Sequence, residues 1–338
     1  MKTLICMSPG HFEYHTAKKP PLTPDHAIIK IKRIGVCGTD LHAYEGTQPF
    51  FEYPRILGHE LAGELISIDN APGFEIGEAV TFIPYFSCGH CIACRNGKPN
   101  CCTTIKVCGV HQEGGMVEYL SVPSGSLVHG HGLSYDELAM VEPLSIGAHG
   151  VKKANILPGE FVLVVGAGPI GLASLEIAKQ AGGQVIAMDL NENRLRFCRE
   201  KFKVENTINP KDKNYLEKLQ AITGGDMPTV VIDASGNLNA INQGFNYVAH
   251  GGRYILIGLQ KEKICFSHPD FHKKEATLMS SRNATREDFE LVVNQIRNKQ
   301  INPLDFISIH VHFNDIESEF CKWLKPDSNI IKAMIEVS

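Results

Sequence analysis

Apolar positions follow two rhythms along the chain. Up to about residue 148 they come in short runs rich in Ile and Val, such as HAIIKIKRIGV, ELAGELISI and EYLSV, punctuated by Gly and Pro. Such runs predict strands joined by loops, as in a small barrel-like β domain. From Gly159 the order changes to FVLVVG, a helical pattern over 170–181, QVIAMD, a second helix over 192–202, TIN, and a third over 214–222. VVIDAS, the segment 240–248, RYILIGL and ATLMSS continue the alternation. Strands separated by helical patterns of about 10 to 15 residues predict βαβ units and a parallel sheet. FVLVV and VVI lack period-two alternation, as expected of strands covered on both faces. Beyond Arg286 an amphipathic helix, DFELVVNQIRNK, gives way to the short strands FISIHV and KAMIEV. The predicted organisation is a β-rich domain over 1–148 and 283–338, interrupted by a doubly wound α/β domain over 149–282.

Composition narrows the choice of function. A chain of 338 residues, 43% apolar and 21% charged, is long enough for two packed cores. A net charge of -4 leaves no basic surplus, which argues against nucleic acid or an anionic membrane as partner and favours a small molecule. The N-terminal segment has only a four-residue apolar run, and no stretch approaches the roughly 18 to 20 apolar residues of a membrane span. The expected location is the cytoplasm. There, eleven cysteines point to metal ligation or catalysis before disulfides.

In SCGHCIACRNGKPNCC, Cys88, Cys91 and Cys94 are spaced to share a metal with a fourth thiolate from Cys101 or Cys102. Four thiolates close a tetrahedron around zinc, and such closed sites are structural. A second group is assembled from distant segments: Cys37 in VCGTD, His59 and Glu60 in LGHE, and Glu142 in MVEPLSIG. Thiolate, imidazole and carboxylate leave zinc an open position, as a catalytic Lewis acid needs. Directly after FVLVV comes Gly166-Ala167-Gly168-Pro169-Ile170-Gly171, opening a helix. The first glycine makes a tight turn, the second admits a pyrophosphate to the backbone, and the third lets helix and strand pack closely. Asp189 ends the next strand, 18 residues past Gly171, where a carboxylate accepts hydrogen bonds from both ribose hydroxyls and favours NAD over NADP. Arg194, one helical turn on, is the residue that would accommodate a 2'-phosphate instead.

The motifs VCGTDLHAYEG, LGHELAG, the four-cysteine segment, VEPLSIGAH, VGAGPIG and DASG at 233–236 together resemble the zinc-containing medium-chain dehydrogenases, and within them the sorbitol (polyol) and sugar-acid branch. The resemblance implies a discontinuous GroES-like catalytic domain and a Rossmann domain, two zinc ions per chain, NAD as cofactor and a homodimer or homotetramer. It selects Cys102 over Cys101 as the fourth thiolate. It makes Thr39 and His42 a proton relay and brings Glu142 into the catalytic zinc shell, leaving open whether Glu60 or Glu142 holds the metal at a given moment. It also suggests that Arg282 and Asn283, in SSRNATREDFE, bind the substrate's carboxylate and a hydroxyl. Two departures stand out: Gly77-Glu78-Ala79-Val80 replaces the family's Gly-Asp-Arg-Val, and His129-Gly130-His131-Gly132 replaces a Pro-containing turn. The implied activity is hydride transfer between NAD and a secondary alcohol of a polyol or a hexonate such as galactonate or gulonate. The alternatives are a zinc dehydrogenase of simple alcohols or threonine, and a non-enzymatic nucleotide-binding protein.

Overall fold

A computed structural model describes residues 1–48, 51–325 and 328–338. The chain divides into two compact units, Met1–Glu142 with Thr285–Ser338, and Pro143–Ala284. The sequence placed the breaks at 148/149 and 282/283. The first break falls instead inside a helix, Val141–Ala154, whose first turn carries Glu142.

The first unit is built on a seven-stranded sheet running Ile307–His312, Lys332–Glu336, His26–Gly35, Glu60–Ile68, Ala79–Phe82 and Leu127–His129, with Tyr119–Pro123 also paired to His26–Gly35. All neighbours are antiparallel except the pair Ile307–His312 and Lys332–Glu336. In His26–Gly35 the alternation Ile29-Lys30-Ile31-Lys32 buries the isoleucines and leaves the lysines at the surface. A register shift between Ile31 and Arg33 then turns Ile34 to the same buried side, which strict period-two geometry forbids. These isoleucines pack with Leu61, Leu65 and Phe82 in one core.

The second unit holds a six-stranded sheet, all parallel, in the order Asn206–Ile208, Gln184–Met188, Phe161–Val165, Val230–Asp233, Arg253–Leu256, Thr277–Ser280. Numbered along the chain this is 3-2-1-4-5-6, the doubly wound order whose ligands bind at the carboxyl ends of the central strands. Val230, Val231 and Ile232 are buried, as their apolar run predicts, and so is Asp233 at the strand's carboxyl end. Helices Pro169–Gln180, Glu192–Glu200, Tyr215–Ile222 and Leu238–Tyr247 lie where the sequence pattern puts helical segments.

Several helices were not foreseen. Residues 1–148 were expected to be mostly strand and loop, yet Gly38–Glu45 and Tyr135–Ala139 are helical and Val141–Ala154 is a 14-residue helix. The tail was expected to hold only short strands after its amphipathic helix, but it also contains the helix Ile316–Trp323, which buries Ile316, Phe320 and Trp323. No helix among the described residues is long and apolar enough to cross a membrane.

Candidate active site

Strand His26–Gly35 runs into Cys37, the N-cap of helix Gly38–Glu45. Asp40, in the first turn of that helix and fully buried, accepts hydrogen bonds from Cys37 N–H at 3.0 Å and Gly58 N–H at 3.2 Å. One carboxylate thus ties the Cys37 turn to the segment that delivers His59 and Glu60 at the head of strand Glu60–Ile68. Cys37 Sγ, a His59 ring nitrogen and a Glu60 carboxylate oxygen lie within 4.8 Å of one another. His59 Nδ1 sits 3.8 Å from Asp40 Oδ1, buried and without a hydrogen-bond partner among the described residues.

Glu142 is buried on the first turn of helix Val141–Ala154 and accepts a hydrogen bond from the buried Tyr85 hydroxyl. Burial pushes its carboxyl up to about 7, against the pull of His59. Burial also raises Asp40. His59 is raised well above its ordinary value although burial opposes it, because Cys37 and Asp40 lie beside it. Lys332 Nζ, itself buried, donates to both Glu60 oxygens at 2.7 and 2.6 Å and to Val36 O at 3.0 Å. Its own protonated form is favoured: desolvation works against the charge, but Glu60 and Cys37 outweigh it.

A divalent zinc ion fits this arrangement. The donors are thiolate, imidazole and carboxylate, and the pocket concentrates acidic groups whose charge burial penalises and a cation would stabilise. Tyr85, Asp40 and Lys332 escaped the sequence reading. The Cys-x-x-Asp spacing of a helix cap was a signal for Asp40, and a lysine within the apolar run IIKAMI was one for Lys332.

Cys88, Cys91, Cys94 and Cys102 bring four sulfurs within 4.8 Å of one another, while Cys101 is exposed and outside the group. Cys88 N–H donates to Cys102 Sγ at 3.3 Å and Cys91 N–H to Cys88 Sγ at 3.4 Å, so the loop backbone already points at the sulfurs. Backbone N–H groups, that of Cys94 first, hold the Cys91 thiol down at about 5, and those of His90 and Cys91 hold Cys88 at about 7. Cys94 goes the other way, pushed up to about 11 by desolvation and its neighbour Cys91, a cost that a zinc ion bound by the four sulfurs would offset. His129 belongs to neither group: it bonds Glu78 at 2.8 Å and stacks on Phe74 at 3.8 Å.

Thr39 is partly buried in the first turn of helix Gly38–Glu45; His42, one turn on, is exposed, with Nδ1 3.2 Å from the Thr47 hydroxyl. In the second unit, Gly166 has φ +96°, and a Cβ on Gly171 would lie 1.7 Å from Gly166 O, so the helix starts against the turn only because both are glycine. Gly168 is the N-cap, Pro169 starts the helix, and Ile170 follows it. Asp189 Oδ2 accepts from Ala167 N–H at 2.7 Å and Oδ1 from Asn191 N–H at 2.8 Å, with Arg194 at 3.8 Å. Arg282, exposed, and Asn283, at φ 53°, follow strand Thr277–Ser280 in this unit, whereas Cys37, His59, Glu60 and Glu142 belong to the other.

Residues 23–131 match the alcohol dehydrogenase GroES-like domain, and residues 169–298 match the zinc-binding dehydrogenase family. The chain is 45% identical over 293 residues to L-galactonate-5-dehydrogenase of Escherichia coli K12, covering 86% of each sequence. It is 33% identical over 309 residues to a sorbitol dehydrogenase of Halalkalibacterium halodurans, covering 89% of this chain and 90% of that one. The crystal structure of the alcohol dehydrogenase RspB of Escherichia coli CFT073, complexed with NADH, superposes with a TM-score of 0.91 at 28% identity, covering 100% of this chain and 99% of that one. With the two matched families covering both units and the relatives aligned along most of the length, this chain belongs to the zinc-type medium-chain alcohol dehydrogenases.

Proposed function

We propose that this enzyme transfers hydride between NAD and a secondary alcohol of a hexonate, with L-galactonate as the first substrate to test. The observation that carries the reading is the joint presence, in a chain 45% identical to an L-galactonate-5-dehydrogenase, of the Cys37–His59–Glu60 donor set and the glycine turn closed by Asp189. Cys37 and His59 hold the catalytic zinc together with a carboxylate from Glu60 or Glu142, and Cys88, Cys91, Cys94 and Cys102 hold the structural one. When bound, zinc supplies a Lewis acid that lowers the pKa of an alcohol and NAD supplies the hydride acceptor. Thr39 takes the hydroxyl proton and His42 passes it to solvent, so the alcohol loses a proton and a hydride and becomes a ketone. The Gly166–Gly171 turn and the helix start at Pro169 take the pyrophosphate. Asp189 takes the ribose diol, with Arg194 beside it.

Arg282 is assigned to the hexonate carboxylate, where a guanidinium fork fixes which carbon presents its hydrogen, and Asn283 to a hydroxyl. A homo-oligomer acting in the cytoplasm completes the reading. The test is NAD reduction across a panel of hexonates and the matching uncharged polyols. Galactonate is expected to be oxidised with the higher kcat/KM, and Arg282→Ala to lower it by at least about tenfold while leaving the polyol rate near its starting value. Sorbitol or a simple alcohol as the better substrate, with Arg282→Ala affecting acid and polyol equally, would overturn the assignment.

A further inference from the structure

The two segments that depart from the family pattern meet in space. Val80 pairs with His129 in the sheet, and a Cβ on Gly130 would lie 2.2 Å from Ala79 O. The His129–His131 turn therefore rests on the Glu78–Ala79 segment only because the residue between the histidines is glycine. Glu78 Oε1 lies 2.8 Å from His129 Nδ1. A carboxylate can only accept there, so the ring proton sits on Nδ1 and the lone pair on Nε2. Phe74 stacks on the same ring at 3.8 Å, inclined by 5°, and fixes its plane. His131, exposed, is held at φ 49°, a left-handed conformation uncommon outside glycine, with its ring beside that of His129.

The spacing of the rings fits a metal chelate. With Zn–N at about 2.0 to 2.1 Å and each ring centre about 1.1 Å beyond its nitrogen, a tetrahedral angle sets two imidazole centres about 5.2 Å apart. Those of His129 and His131 are 5.3 Å apart. Both histidines line a cavity of about 530 Å³ in the first unit, together with Asn70, Arg286, Glu290 and Asn294, which leaves room for the waters that complete a zinc shell. The Arg286 guanidinium is turned to the carbonyls of Gly125 and Leu127, and the carboxylates of Glu78 and Glu290 outnumber its charge. We propose that His129 and His131 bind a divalent transition metal ion, zinc by the fit of the angle, with Glu78 as the positioning residue that presents His129 Nε2. Two protein ligands make this an exchangeable site, weaker than the closed four-cysteine group. It stands apart from Cys37 and His59 and does not rest on the reading of the reaction.

The test is zinc uptake by the loaded full-length enzyme, dialysed against buffered free zinc from about 1 μM to 1 mM and counted by elemental analysis. The unsubstituted enzyme is expected to take up one further zinc per chain in that range. His129→Gln and His131→Asn are expected to abolish that uptake; asparagine tolerates the left-handed turn. Glu78→Ala is expected to weaken it by about 10- to 100-fold, as loss of a carboxylate behind a ligating imidazole does. All three variants should keep the metal they held before the titration. Should His129→Gln disturb the stack on Phe74, His131→Asn carries the comparison alone. Because each variant is compared with the unsubstituted enzyme, the result does not depend on how many ions the cysteine-containing groups hold. No further uptake below about 1 mM overturns the inference. So does uptake that survives loss of either imidazole, as when zinc sits on the surface pair His268 and His272 instead, or equal affinity with and without Glu78. Each of these results leaves the dehydrogenase reading intact.

Discussion

Replacing Glu160 by Gln loosens the far end of the helix that carries Glu142. Arg253 donates to both Glu160 oxygens and to the carbonyls of Ala154 and Asn155, where helix Val141–Ala154 ends. Leu157 N–H at 2.7 Å and the Thr229 hydroxyl at 2.8 Å complete the carboxylate's bonds. The Arg253 hydrogen bonds, opposed by burial, hold the Glu160 carboxyl at about 2, against an ordinary 4.5. Taken at face value that depression corresponds to about 3 kcal/mol, at roughly 1.4 kcal/mol per pH unit. The two side chains keep 19% and 16% of their surface in water, so screening leaves about 1 to 2 kcal/mol. Because the folded value lies below the unfolded one, this stability is fully present above about pH 4.5 and is lost as pH falls towards 2. Glu160→Gln should therefore unfold in urea with about 1 to 2 kcal/mol less stability at pH 7, and the gap between the two proteins should narrow steadily below pH 4.5. Taking the difference at each pH cancels the loss of thiolate-bound metal in acid. Equal stability at pH 7, or a gap that holds or widens below pH 4.5, would refute the reasoning.

Three further outcomes follow from the same structure. Asp189→Ser, which removes the negative charge assigned to the adenosine ribose, should raise the ratio of NADP to NAD efficiency by at least about tenfold, and an unchanged ratio would put cofactor choice elsewhere. Cys94→Ser should carry one zinc fewer by elemental analysis and melt at a lower temperature while its remaining folded fraction still turns over. Cys37→Ser should also lose one zinc but keep its melting temperature far better and lose turnover; reversed phenotypes would exchange the roles of loop and active site.

The parallel sheet and its glycine turn were legible because local pattern and function coincide there: FVLVV, the turn and the helix of 169–180 are contiguous. The grouping of the four sulfurs was legible for the same reason, since Cys88, Cys91, Cys94 and Cys102 sit within one segment. Helix Val141–Ala154 was harder, because a Glu-Pro pair reads as a turn, yet proline is well tolerated in a first helical turn, where its missing N–H has no partner to lose. Ile34 turns inward only through a register shift that depends on the neighbouring strand. Lys332 was the least readable: a lysine in a strand is normally at the surface, and what buries it is a carboxylate 272 positions away in sequence. Tertiary ion pairs of this kind leave no periodic trace.

The account stands most directly on whether sugar-acid oxidation depends on the metal at Cys37 and His59. Initial rates of NAD reduction by L-galactonate should be measured while a chelator removes active-site zinc, with the remaining metal counted in the same samples. The account predicts that activity falls in proportion to the loss of one zinc per chain, with the four-cysteine metal still bound, and returns on adding zinc. NAD reduction that persists after that ion is gone, or no reduction by the hexonate in the fully loaded enzyme, would contradict it.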